Sequence, residues 1–228
     1  MSRAGAEIVI VVVGILIAFG LDSWWDSNKQ LDWERSQLQL LRDEAQSNIE
    51  HIESVIEAHK VTGADVETIL AFSTHEPPGE VEDFKNRLVT SLIKWRTSEL
   101  SMGALDALLA SGDLGEISNP ELRASLTAWK VLALDAQEKE ELARDFVEYV
   151  ITPALSDEAY LAPAYAARPP YGNSVELENR IVEIRSSTEL RSLSAARLGH
   201  IRMAIDSQRN SQEALQKVLL LINSDLTQ

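Results

Sequence analysis

Between Ile8 and Leu21 the chain reads IVIVVVGILIAFGL, with no polar side chain, and Asp22 and the pair Trp24-Trp25 follow at once. No face of a helix built from this run could be turned toward water at low cost, so it needs apolar surroundings on every side. Fourteen residues fall short of the roughly 20 that cross a hydrocarbon core of about 30 Å. Extending back through Ala4, Gly5, Ala6 and Glu7 gives about 27 Å of helix at 1.5 Å per residue. Slight bilayer thinning or snorkelling closes the difference. The sequence therefore predicts a membrane anchor over residues 1–25, with the two tryptophans in the interfacial belt. A cleavable secretory signal ending at Ala18-Phe19-Gly20 is the competing expectation. The thin positive region before the run, Arg3 and the α-amine beside an acidic Glu7, weighs against it. Orientation rests on a nearly balanced count of Arg3 against Lys29, Arg35 and Arg42. A short tail kept inside, with an uncleaved anchor, places the body of the chain outside the cytoplasm.

Residues 26–228 are long enough for a single domain with its own core. All but one unit of the net charge of −15 falls on them, since Arg3 and Glu7 cancel and leave Asp22. Such a body is repelled by nucleic acid and by anionic lipid, so no nucleic-acid partner is expected. There is no cysteine, which removes disulfides, thiolate chemistry and Cys-type zinc sites together.

Beyond the anchor the apolar spacing is helical. Leu38, Leu41, Ala45, Ile52 and Val55 keep a three-four step, with Asn48 and His59 in the same register. This predicts a helix from Leu31 to about Thr62, stopped at Gly63, and a second over Ala64 to Phe72. Ser73 to Gly79 reads as a loop. Val81 to Trp95 reads as an amphipathic helix with Phe84, Leu88, Leu92 and Trp95 on one face. Ser98 is expected to cap a helix from Glu99 to Ala110 that stops at Gly112. A turn with Leu114 and Ile117 leads to a further helix start, made either by Asn119 with Pro120 at the first position or by a Ser118/Glu121 capping box. That helix should run past Trp129, Leu134, Leu142 and Phe146 and end or kink at Pro153. Asp157 to Ser174 reads as a long irregular loop, and helical pattern resumes from Val175, weakens near Ser186 to Thr188 and runs to Leu226. The fold class expected is all-α: one N-terminal transmembrane helix, then an antiparallel helical bundle with its long first and last helices packed together.

Glu7-Ile8-Val9, Gly14-Ile15-Leu16-Ile17-Ala18 and Asp22-Ser23-Trp24 resemble the start of a family of small bacterial single-pass proteins whose domain has no known function. The middle is similar too: Ala104-Leu105, Leu108, Ser111-Gly112-Asp113-Leu114, Ile117, Asn119 and Leu122-Arg123 match its central pattern, and Leu190 to Leu226 its closing helix. The resemblance spans nearly the whole chain. It implies a membrane-anchored helical protein of the bacterial inner membrane and supplies no activity, cofactor or catalytic residue.

Glu7, Val11, Gly14, Ala18 and Trp25 fall within about 60° of one another on a helix. Gly14 and Ala18 make a small-xxx-small pair that would let another membrane helix approach, so another membrane protein or a second copy is the partner expected, besides the lipid bilayer itself. The simpler account is that glycine and alanine are common in membrane helices. Tyr160, Tyr165 and Tyr171, interleaved with Pro163, Pro169, Pro170 and Gly172, make a candidate recognition loop; packing back against the bundle is the equal alternative. His51, His59, His75 and His200 lack the i, i+3 and i, i+4 acidic or histidine partners of helical metal sites. Arg191, Arg202 and Arg209 align on one face of the last helix, more simply as solvated ion-pair partners than as an anion site. No nucleophile elbow or phosphate loop occurs. The sequence thus predicts no enzyme, cofactor or metal, but a non-catalytic interaction or scaffold component of the bacterial envelope, with a ligand-sensing domain that signals through a membrane partner as the alternative.

Overall fold

A computed structural model of the chain describes residues 3–72, 87, 91–156 and 187–227, with side chains from Val12 onward. Among these residues every regular element is helical. Five α-helices are α1 (Arg3–Phe72), α2 (Gly103–Ser111), α3 (Pro120–Phe146), α4 (Thr152–Ser156) and α5 (Thr188–Leu226). A 3₁₀ turn, Asp113–Glu116, joins α2 to α3, and a π-helical turn, Val147–Ile151, joins α3 to α4.

Cross-links between the elements fix their directions. Gly63 of α1 faces Leu198 and Ile201 of α5, while at the other end Asn119 donates to Asp225 and Ser118 donates to Glu34. Helix α5 therefore runs antiparallel to both α1 and α3. The segment between α1 and α2 descends along α1, since His51, Asn48 and Glu44 bond successively to Glu99, Ser101 and Ala104. The chain goes up, down, up and down, an antiparallel bundle. The first and last helices pack together along much of their length.

The core is the stripe that the three-four spacing marks. Leu38, Leu41, Ala45, Ile52 and Val55 are buried, and so are Asn48 and His59 in the same register. Leu38, Leu41, Ala45 and Ile52 share one core with Leu122, Leu126, Trp129 and Ala133 of α3 and Leu198, Ile201, Leu215, Val218 and Ile222 of α5. Leu134 and Leu142, by contrast, are exposed. The buried face of α3 continues with the small side chains Ala136 and Ala143, which let the helices approach closely.

Four expectations are corrected. Gly63 does not stop the first helix, which runs unbroken for 70 residues and includes the expected second one; a Cβ at Gly63 would lie 3.4 Å from Ile201 Cγ2, so the glycine serves close packing rather than a turn. Trp95 does not end a helix, because residues 94–100 are non-helical and the helical residues nearby are 91–93. Ser98 caps nothing: α2 begins at Gly103, and Ser98 is buried against Glu140. Pro153 does not end α3. The ladder widens into the π turn just before it, which accommodates the missing proline N–H and the ring's clash with the carbonyl four residues back, and helix resumes as α4.

Other local signals hold. Gly112 takes a left-handed φ of 83° after α2, a conformation that strains any residue with a Cβ. Asn119 caps α3, accepting from Glu121 and Leu122 N–H with Pro120 first in the helix, and Ser118 is taken by Glu34. Ser187 caps α5. The loops 73–79 and 157–174, and with them Tyr160, Tyr165 and Tyr171, lie outside the described residues.

Candidate functional site

Two parts of the molecule are unlike an ordinary helical domain. The first is the beginning of α1. Val12, Val13, Ile15, Leu16, Ile17, Phe19, Leu21, Trp24 and Trp25 are all exposed. Gly14 has no atom within 4 Å of where a Cβ would stand, and Ala18 is exposed. Among the described residues no helix covers the stripe. Lys29 places its amine 5.8 Å from the Trp25 ring centroid, a cation–π arrangement in which an amphipathic pair marks the end of the apolar stretch. The side chains of Glu7 and Val11 lie outside the described residues, as do those of Ile8 to Ile10. Among the described residues no helix is long and apolar enough to cross a membrane.

The second part is polar and interior. Its lower half consists of carboxylates and amides on α1 and α3 that hold the non-helical connections. Glu34, 8% exposed, accepts from the Ser118 N–H and hydroxyl, each at 2.6 Å. Glu44 accepts from Ala104 N–H at 2.9 Å, and Asn48 exchanges two hydrogen bonds with the Ser101 backbone at 2.6 and 2.9 Å. Glu140 accepts from the Ser98 N–H and hydroxyl and from Gln208. Burial pushes the Glu140 carboxyl up, and the hydrogen bonds from Ser98 and Gln208 oppose that. These groups satisfy loop N–H donors that would otherwise be buried and unpaired, each such loss costing about 1–3 kcal/mol.

The upper half holds one buried cation and two imidazoles, each with one nitrogen left without a partner. Arg197, on the α5 face turned toward the core, is 1% exposed. Its Nη2 donates to the Lys94 carbonyl at 2.8 Å, and its Nε has no partner. Burial draws the guanidinium down from 12.5 to about 10, which still leaves it charged at neutral pH. His59 of α1 is buried beside it with Nε2 unpartnered. Burial first, and the Arg197 charge second, hold that imidazole near 4 rather than its ordinary 6.5. One turn along from Arg197, His200 stacks on Phe146 with ring centroids 4.6 Å apart and leaves Nδ1 unpartnered. Burial and Arg197 lower its pKa too. Ala58, His59, Val61, Thr62, Asp65, Lys94, Trp95 and Arg96 line an adjoining recess of about 610 Å³.

His59 is legible from its register, whereas Arg197 lies off the face that Arg191, Arg202 and Arg209 share. The signal was there: Leu190, Ser194, Arg197, Ile201, Ala204, Gln208, Ser211 and Leu215 keep one helical face, and all are buried. The exposed arginines make the ordinary pairs expected of them, Arg202 with Glu67 at 2.9 Å and Arg209 with Asp206 at 3.8 Å. His51 accepts from the Glu99 N–H, His75 lies outside the described residues, and no metal-holding group of His, Asp and Glu occurs among those described. In the Ser111 to Arg123 segment the side chains serve turns and caps, and Arg123 donates to the Ile117 carbonyl.

No family model, no curated protein and no solved structure matches this chain.

Proposed function

We propose that this is a single-pass protein of the bacterial inner membrane, whose residues 1–25 anchor an extracytoplasmic helical domain, and that it acts by binding a protein partner rather than by catalysis. One observation carries the anchor: every large apolar side chain from Val12 to Trp25 is exposed, on a helix whose continuation buries its apolar residues against α3 and α5. A contiguous apolar surface of this kind marks contact with a membrane or another protein. The run also begins before Val12, at Ile8, and lipid satisfies all faces of such a helix at once. The partner in the membrane is another helix or a second copy seated on the Gly14 and Ala18 face, where no atom of the described residues comes within 4 Å of a Cβ placed at Gly14. The resemblance to small bacterial single-pass proteins agrees with this reading and belongs to the same proposal.

Ligand sensing is the second reading, favoured by the unpaired Arg197. A sensor of this build would pass its signal along α1, which joins His59 to the anchor without a break, over about 50 Å at 1.5 Å per residue.

The absence of cysteine makes topology directly testable. Glu138→Cys on the exposed side of α3 should react with a membrane-impermeant maleimide in intact cells. Labelling only after lysis would reverse the orientation and turn the partner search to the cytoplasm.

A further inference from the structure

The face that a bundle helix turns away from its core is ordinarily polar, and α3 departs from this. Trp129, Ala133, Ala136, Glu140 and Ala143 turn inward, while on the opposite side Val131, Leu134, Leu142, Tyr149 and Val150 stand 42–73% exposed. Single exposed apolar side chains are common. These are clustered: among the described residues beyond Trp25, nine large apolar side chains are exposed, and five of them lie on this stretch of α3 and its π turn. Val131 and Leu142 stand about three turns apart on one line, and the π turn leaves both Tyr149 and Val150 outside while Val147 and Ile151 are buried. Charge on the same face is one-sided. Lys139 is paired with Asp135 at 3.4 Å and Arg144 with Asp145 at 3.5 Å, whereas Glu138 and Glu141 are exposed and form no ion pair among the described residues.

We infer that this face, from Val131 to Val150, docks a basic amphipathic helix of a partner protein. A clustered apolar surface marks a contact, and at about 28 Å this one matches a partner helix of about five turns. Apolar side chains of that helix would lie against Val131, Leu134, Leu142 and Tyr149, tyrosine being a residue type that anchors interfaces. Its lysines or arginines would meet Glu138 and Glu141. A second copy does not fit, because each chain brings a net charge of −15 and the same acids to the contact. Nor does the bilayer. Helix α3 starts at the end where Asn119 bonds to Asp225 and Ser118 to Glu34, so the face begins about 17 Å and ends about 45 Å along the helix from Pro120, leading away from the exposed apolar start of α1. The inference rests on reading the chain as one that binds a protein, names that partner's chemistry, and does not depend on the anchor.

The test uses the full chain in discs of zwitterionic lipid, with empty discs as the control for peptide taken up by lipid. The probe is a helical peptide of about 18 leucines and lysines, long enough at about 27 Å to span the face. Glu138→Cys, in the middle of the face and in a chain with no other cysteine, should react freely with maleimide. Peptide at ten times its Kd should slow that reaction about tenfold, since about nine in ten molecules are then covered. A peptide of leucine and glutamate should give no protection. By the same readout Leu142→Ser combined with Tyr149→Ser should weaken the leucine-lysine peptide at least about tenfold, and Glu141→Lys should weaken it severalfold at low salt and less at high salt. Overproduced chain outnumbers its partner, which leaves the same cysteine open to labelling in intact cells. A cysteine unreactive before peptide is added would show that the chain covers the face itself, and a disulfide between two copies would assign the face to self-association; either would overturn the proposal. Protection that is absent, equal with the acidic peptide, or unchanged in the variants would overturn it too. The membrane-helix partner at Gly14 and Ala18 is not probed here, so failure on α3 would leave that partner standing.

Discussion

Helix α1 passes through two environments without changing its backbone. From Val12 to Trp25 its large apolar side chains are exposed, and from Leu38 to Ile69 most are buried along one stripe, with Leu40 and Val61 outside it. Local propensity is adequate for helix in both. What differs is the distribution around the axis: apolar on every face in the first stretch, and confined to one stripe in the second. A stripe can be covered by α5 and α3, whereas an all-round apolar helix cannot be covered by two neighbours alone. The comparison separates what the bundle stabilises from what it leaves for its surroundings.

Truncating side chains in the two stretches should give opposite results. Ile52→Ala removes a fully buried side chain and should cost about 2–5 kcal/mol of unfolding free energy. Leu16→Ala, on the exposed stretch, should leave the detergent-solubilised melting curve unchanged. An equal loss at Leu16 would mean that the first stretch has a packing partner within the protein. Denaturant titration of both variants decides.

A second contrast lies inside the bundle, where Glu34 and Glu140 meet several donors and Arg197 and His59 each keep a nitrogen without a partner. His59 titrates near 6.5 when unfolded and near 4 when folded. As pH falls from about 6.5 to 4 the unfolded chain takes up a proton that the folded chain refuses, so stability declines across that window by about 3 kcal/mol. His200, lowered by burial and by Arg197, acts in the same direction. Glu140 acts oppositely: its raised pKa contributes stability at low pH that is lost as pH rises through the folded value. His59→Gln, compared with the parent chain by denaturant titration at several pH values, should flatten the decline; an unchanged slope would show that His59 is solvated.

The smallest effect concerns the end of the bundle where Asn119 meets Asp225 and Ser118 meets Glu34, the near end. Asn119→Ala removes the α3 cap and the bond to Asp225 and should cost about 1 kcal/mol. A loss several times larger would mean that the near end depends on this residue more than on Glu34.

Much of the fold was legible because it depends on periodicity. The α1 stripe, the Gly112 stop, the Asn119-Pro120 start and the closing helix all follow from residues within a few positions of one another. Tertiary packing decided the rest. Gly63 reads as a terminator in isolation and proves to be a contact point with Ile201. Ser98 reads as a cap, yet its hydroxyl and N–H go to Glu140, 42 residues away. Arg197 was obscured for the same reason: an arginine near other arginines reads as surface, and only the neighbouring elements reveal that this one is enclosed. His59 was legible through its apolar register, and the recess that it lines was not.

The most direct test of the central claim is alkaline carbonate extraction of membranes from cells expressing the full chain or residues 27–228. The full chain should stay in the membrane pellet, and the shortened chain should be released as a folded helical protein. Release of the full chain by carbonate, or retention of the shortened one, would contradict an anchor at the start of α1.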